Sequence, residues 1–315
     1  MPVKITIDIF SGRPNPYFIL NYTTARKVLN MISFGSFARI SESSDPFPAV
    51  LGYRGLIVEQ LGKRLSNRIP LRVLFTQDSA YADGRIAKVD QIDYLVSFVF
   101  DQLPRLRLTD NIPSLKKYLE SSIETFQLQR SVFIRNYHKK YHHWLNDFYK
   151  THKRTACSCG PLPDLPTWNS APSIQFNNNC YNYSTNYRTD SYGQPGMAAE
   201  QQYNNLSACA TPMGSMSARL GALADGLIDL PANNNPCPNS GHLVALVIAP
   251  GFDYHWYRKG RNGKWSHKIG GSPATILDNC GNPISDPRTA DRGSYVDFCS
   301  FMHAIHGHFK IKGPL

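Results

Sequence analysis

Hydrophobic and polar positions alternate from the start of the chain. Val3, Ile5, Ile7 and Ile9 are separated by single residues, the period-two pattern of a strand with one buried face. Ser11-Gly12-Arg13-Pro14-Asn15-Pro16 interrupts it with turn chemistry, a Pro-flanked hairpin that would hold Arg13 rigidly as a ligand residue if it does more than turn the chain. Residues 24–32 switch to helical spacing, with Thr23-Thr24 as the cap, and residues 71–75 and 94–100 are later short apolar elements. Ser114 reads as the N-cap of a long helix continuing to about Lys153, as one helix or as two broken near residues 127–130. Leu115, Leu119, Ile123, Phe126 and Phe133 make its apolar stripe, and Gly160, Pro161 and Pro163 end it.

Residues 156–172 are rich in Pro, Ser and Gly and read as a linker or a surface loop between modules. Beyond them the texture changes: Asn, Tyr, Ser and Gly dominate 177–205, and 213–230 is small and apolar enough for a helix. The apolar run 243–248 and the segment 254–258, joined by Pro250-Gly251, read as antiparallel strands. The pattern predicts an α+β chain in two modules. The first, residues 1–155, is a mixed α/β module with a long basic helix; the second, residues 173–315, carries an antiparallel sheet.

Composition narrows the class. With 315 residues, 42% of them hydrophobic, both modules can bury a core. No stretch approaches the roughly 18 to 20 apolar residues of a membrane span, and the N-terminus does not read as a classical signal peptide. The expectation is a cytoplasmic protein or one released by a non-classical route. A net charge of +11 attracts polyanions. Lys139-Lys140, Lys150 and Lys153-Arg154 are interleaved with Tyr137, Tyr141, Trp144 and Tyr149, so an anionic polymer is a candidate partner. Helical periodicity favours the plainer reading, an aromatic face buried and a basic face solvated.

Seven cysteines, at 157, 159, 180, 209, 237, 280 and 299, leave one over if the others pair, which draws attention to a reactive thiol. Cys180 stands in Asn-Asn-Asn-Cys-Tyr-Asn-Tyr at a turn-to-helix junction, and Gly241-His242 opens the apolar strand 243–248. A thiol is only a few per cent ionised near neutral pH, so a nucleophilic cysteine needs an adjacent base. His242 is assigned that role. His255, on the returning strand, would orient it as a cross-strand neighbour, with His267 as a rival base. Asn179 and Asn178 are the nearest side chains for an oxyanion hole beside the Cys180 N–H.

Cys180-Tyr181, Gly241-His242 before an apolar strand, and His255 on the next strand resemble the Cys-His-His set of NlpC-type cell-wall peptidases and CHAP amidases, over residues 175–270. The resemblance implies a papain-like C-terminal module, a cysteine hydrolase, and a peptide or wall-type amide substrate, with no cofactor and no metal. Paired histidines such as His138 and His142 lack the glutamate of a metalloprotease helix. The alternative is a non-catalytic secreted structural, toxin-like or binding protein whose C-terminal cysteines cross-link.

Overall fold

The computed structural model describes residues 2–41, 44, 46–47, 49–62, 67, 69–90, 92–102, 115–150, 157–230 and 235–314. The chain folds as two compact units. The first comprises Met1–Ile9, Asn15–Phe47 and Tyr53–Leu128, and the second Phe10–Pro14, Pro48–Gly52 and Gln129–Leu315. Both combine helices with an antiparallel sheet, so the α+β class holds.

In the first unit the elements are β1 (Val3–Asp8), β2 (Tyr17–Leu20), α1 (Tyr22–Met31), β3 (Ser33–Phe34), β4 (Ala38–Arg39), β5 (Gly55–Gln60), β6 (Arg72–Phe75), β7 (Ser79–Ala82), β8 (Arg85–Asp90) and α2 (Ile92–Gln102). The first part of α3 (Leu115–Phe148) belongs here too. The sheet runs β2-β1-β5-β6-β7-β8-β3, with β4 also on β8. The alternation read at the N-terminus is β1, and Val3, Ile5 and Ile7 are buried in the core. Asp8 on the same strand is buried as well. It is matched by Arg54, whose Nη2 lies 2.6 Å from Asp8 Oδ1 and whose Nε donates to Oδ2 at 3.0 Å. Such a pair tolerates burial because both charges are satisfied together. The cap of α1 is Asn21, which accepts from the Thr24 N–H at 3.0 Å, and not Thr23 or Thr24. Residues 94–100 fall in α2, where Ile92, Leu95 and Val99 are buried at helical spacing. The long helix is continuous over 34 residues, without a break at 127–130. Ser114, Lys153 and Arg154 lie outside the described residues.

The second unit holds the rest of α3, then α4 (Leu165–Asn169), α5 (Pro172–Asn177), α6 (Cys180–Thr185), α7 (Ala218–Ala224), β9 (Ile228–Asp229), β10 (His242–Ala249), β11 (Asp253–Lys259), β12 (Trp265–Lys268), β13 (Ala274–Thr275) and β14 (Asp297–Ala304). Its sheet order is β13-β12-β11-β10-β14-β9. Every residue of β10 is buried, because the strand is covered on both faces. Val244, Leu246 and Ile248 pack with Tyr181, Tyr254 and Trp256, whereas Leu243, Ala245 and Val247 pack with Tyr257, Trp265 and Phe301. A strand wet on neither face reads as a continuous apolar run, as this one does.

Residues 213–230 do not form one helix. Gly214 and Gly226 have positive φ, and Ser217 starts α7 by accepting from the Leu220 N–H at 3.2 Å. Within 157–172, Cys157 is buried and bridged to Cys237, and Leu165 and Trp168 are buried core residues of the second unit.

Candidate functional site

Asn179 builds the corner on which Cys180 sits. Its Oδ1 accepts the N–H groups of Tyr181 and Asn182, and Asn182 Oδ1 returns a bond from the Asn179 N–H at 3.2 Å, a reciprocal cap that starts α6. Lys268 holds the approach from the other side, its Nζ donating to the carbonyls of Gln175 (2.5 Å), Asn178 (2.7 Å) and Gly270 (2.6 Å). At the end of α6, Arg258 lies over the Tyr183 ring, 3.8 Å from its centroid, and donates to the Tyr183 carbonyl at 3.1 Å. The helix is therefore clamped to β11 and β12.

Cys180 is fully buried and unbridged. Burial, reinforced by the nearby Asp253 carboxylate, pushes the thiol up to about 12, against the opposing pull of the Ser11 hydroxyl, the Trp256 N–H and Lys268. The sulfur is a neutral thiol.

The residue expected beside it is elsewhere. His242 donates from Nε2 to the Ser184 carbonyl at 2.5 Å, and its Nδ1 has no hydrogen-bond partner among the described residues. Burial pulls its pKa down to about 3. The cross-strand pairing of His242 with His255 also fails. In the β10–β11 register Val247 is opposite His255, so the two histidines are offset along the hairpin.

His255 instead meets His267. His255 Nε2 and His267 Nδ1 are 2.8 Å apart, and His267 Nε2 is 2.8 Å from the Leu277 carbonyl. A carbonyl only accepts, so His267 carries its proton on Nε2; burial holds it neutral, pulling its pKa down to about 4. Its Nδ1 must then accept, which places a proton on His255 Nε2; in a neutral His255 ring Nδ1 is then an acceptor. At 2.5 Å from that nitrogen lies the Ser11 hydroxyl. With that ring neutral, the serine proton points at His255. The result is one row of hydrogen bonds: Ser11, His255, His267, Leu277 carbonyl.

Ser11 is held there by its backbone. The Asp253 carboxylate accepts three successive N–H groups, from Ser11 (2.5 Å), Gly12 (3.2 Å) and Arg13 (3.0 Å), together with the Tyr295 hydroxyl at 2.6 Å. Burial pushes the Asp253 pKa up, and those donors pull against it. The Gly12 carbonyl is gripped by Asn179 Nδ2 (2.7 Å), Gln194 Nε2 (3.0 Å) and the Tyr254 hydroxyl (3.0 Å). A Cβ on Gly12 would run into the Tyr254 ring, so only glycine fits. Asn179 thus does hold a carbonyl, that of Gly12. Asn178 does not: its Nδ2 donates to Ile174 and Asp190, and its Oδ1 accepts from the N–H groups of Thr189 and Asp190.

Ser11, Asp253, Gln194, Tyr254 and Tyr295 carry no pairwise signal in the sequence. The usable hint was Ser11-Gly12-Arg13 itself, a glycine between two polar residues in a segment that turn chemistry alone explains. Among the described residues no group of His, Cys, Asp and Glu is placed to hold a metal ion, and no helix is long and apolar enough to cross a membrane.

Fold and site define an α+β protein braced by two disulfides, Cys157–Cys237 and Cys209–Cys299, with its buried thiol sealed under a loop of its own chain. Insoluble matrix shell protein 1 of Ruditapes philippinarum is 45% identical to it over 156 residues, which cover 48% of this chain and 94% of the relative. The chain belongs to the same family as that shell protein. No family model and no solved structure matches it.

The resemblance to NlpC-type and CHAP enzymes is overturned by this kinship. The relative is an insoluble matrix shell protein, and a papain-like module, a cysteine peptidase or amidase activity, and a peptide substrate are withdrawn with the resemblance. A short Cys…His…His order recurs without catalysis when the thiol is protonated, dry and covered.

Proposed function

We propose that this protein is a non-catalytic structural component of an insoluble extracellular matrix. The observation that carries the reading is the 45% identity to a shell protein of that kind, almost all of which this chain spans. The two disulfides support it, since such bridges persist in oxidising compartments outside the reducing cytosol. The sealed Cys180 supports it too, because a thiol shut from water serves packing better than attack on a substrate. A matrix component meets other polymers, and the net charge of +11 favours acidic ones; Arg135, Lys139 and Lys140 stand exposed on α3.

Sequential extraction of the tissue that makes the protein is the test. The chain is expected to stay in the pellet through salt and chelator and to leave it only with denaturant and reductant together. Its recovery in the first aqueous extract overturns the proposal.

A further inference from the structure

Three stretches of the chain read Asn-x-Ser or Asn-x-Thr with x other than proline: Asn21-Tyr22-Thr23, Asn182-Tyr183-Ser184 and Asn205-Leu206-Ser207. The pattern is the acceptor for a sugar on the asparagine nitrogen, and it is short enough to recur by chance. Folding separates the three. Asn182 and Ser184 are fully buried, and both ends of the Asn182 carboxamide are in use. Its Nδ2 donates to the Tyr187 carbonyl (3.0 Å) and the Thr189 hydroxyl (2.9 Å), and its Oδ1 accepts the N–H groups of Asn179 (3.2 Å) and Gly193 (2.8 Å). Asn21 is exposed, but its Oδ1 is committed to the Thr24 N–H as the cap of α1.

Asn205 is arranged differently. Its Oδ1 accepts both the N–H of Ser207 at 2.8 Å and the Ser207 hydroxyl at 2.7 Å, so the two polar members of the pattern are already joined. A backbone N–H only donates, which identifies the atom at the centre of this turn as the carboxamide oxygen and leaves Nδ2 outside it. No described residue accepts from that nitrogen. Asn205 is half-exposed, and Asn204 and Ser207 beside it are exposed, so a bulky group on Nδ2 has solvent to occupy. The turn is closed by residues 205–207 alone and can form before the rest of the fold. Cys209, on the same segment, is bridged to Cys299, a bond that persists in oxidising compartments. We propose that Asn205 is an N-glycosylation site and that Asn182 is not.

The co-substrate class is an oligosaccharide carried on a lipid pyrophosphate, met with its transferase on the route out of the cell. The assignment rests on the extracellular reading above, since a chain kept in the cytosol does not meet that donor. A bond forms between Asn205 Nδ2 and the anomeric carbon of the sugar, and the bond from that carbon to the pyrophosphate oxygen breaks. Its electron pair leaves on the phosphate, and one Nδ2 proton departs to a base of the transferase. The attached sugar is a bulky, hydrated group on the surface of the second unit.

Protein isolated from the tissue that makes it is treated with peptide N-glycosidase in heavy-oxygen water, which turns a glycosylated asparagine into an isotope-tagged aspartate, and its peptides are read by mass spectrometry. The peptide carrying Asn205 is expected to bear the tag and the peptide carrying Asn182 to lack it. An untagged Asn205 peptide, or a tag on Asn182, overturns the proposal. The fraction in which the chain is found keeps the two readings apart. A bare Asn205 in the insoluble pellet removes the glycan and keeps the matrix component, whereas a tagged Asn205 in the first aqueous extract keeps the glycan and removes the matrix component. In secreting cells that express the full chain, Asn205→Gln and Ser207→Ala are each expected to lose one glycosidase-sensitive step in gel mobility that the wild type and Ser207→Thr both show. Wild-type mobility in Asn205→Gln and Ser207→Ala overturns the assignment, and the isotope test on the native protein stands where a variant is not secreted.

Discussion

Cys180 and His242 each stand at the start of a secondary-structure element and both are fully buried, yet their polar atoms face different neighbours. His242 is bound to the Ser184 carbonyl through one nitrogen and is neutral because burial disfavours its charged form. Its pKa falls from 6.5 when unfolded to about 3 when folded, so the folded state binds fewer protons over that window. Stability from this group is complete above pH 6.5 and is lost as pH falls toward 3. His242→Gln can still donate to Ser184 but does not titrate. The difference in unfolding free energy between wild type and variant should therefore change by about 1.4 kcal/mol per pH unit between pH 6 and 4, the wild type losing more, as read from urea midpoints. Equal slopes would show that His242 is protonated in the fold. At this scale the chemistry of Cys180 was legible as a residue type in a turn-to-helix context. Its protonation was not, because burial and the Asp253 charge are set by residues that sequence does not order around it.

Elements were the best-read level. The alternation of β1, the unbroken apolar run of β10 and the stripe of α3 follow from period and length, which local sequence carries directly. Termini were less legible. Asn21 and not Thr23 caps α1, and residues 213–230 yield only the seven-residue α7. The entry to β10 shows why local chemistry still matters. Gly241 has φ of +124°, and a side chain there would collide with the Ala304 carbonyl. Gly241→Ala is expected to cost about 1–3 kcal/mol, measured as a lower urea midpoint with unchanged slope, and a neutral substitution would show that the strand start is not strained. The offset between His242 and His255 belongs here as well. Hairpin register is set by the turn and by packing on both faces, and counting along the chain did not reveal it.

At the scale of the whole molecule, cysteines divide the chain unevenly. None falls before residue 157, and the bridges Cys157–Cys237 and Cys209–Cys299 close loops of 80 and 90 residues in the second unit. Each is worth on the order of 4 kcal/mol by loop-closure entropy. Reduction is therefore expected to lower the melting of the second unit by well over 10 °C while leaving the transition of the first in place, as followed by calorimetry with and without reductant. A single transition that shifts as one would show that the two units melt together.

The amino-acid sequence alone determined the class of the fold, the principal strands and the long helix, because hydrophobic period is a local property. It also marked Cys180, His255 and His267 as chemistry-bearing. Which of them touch, and that the Ser11 hydroxyl meets the His255 imidazole, was decided only by tertiary structure. The contacts that seat Ser11 join positions more than 240 residues apart through backbone N–H and C=O groups, which every residue type possesses and no sequence pattern distinguishes.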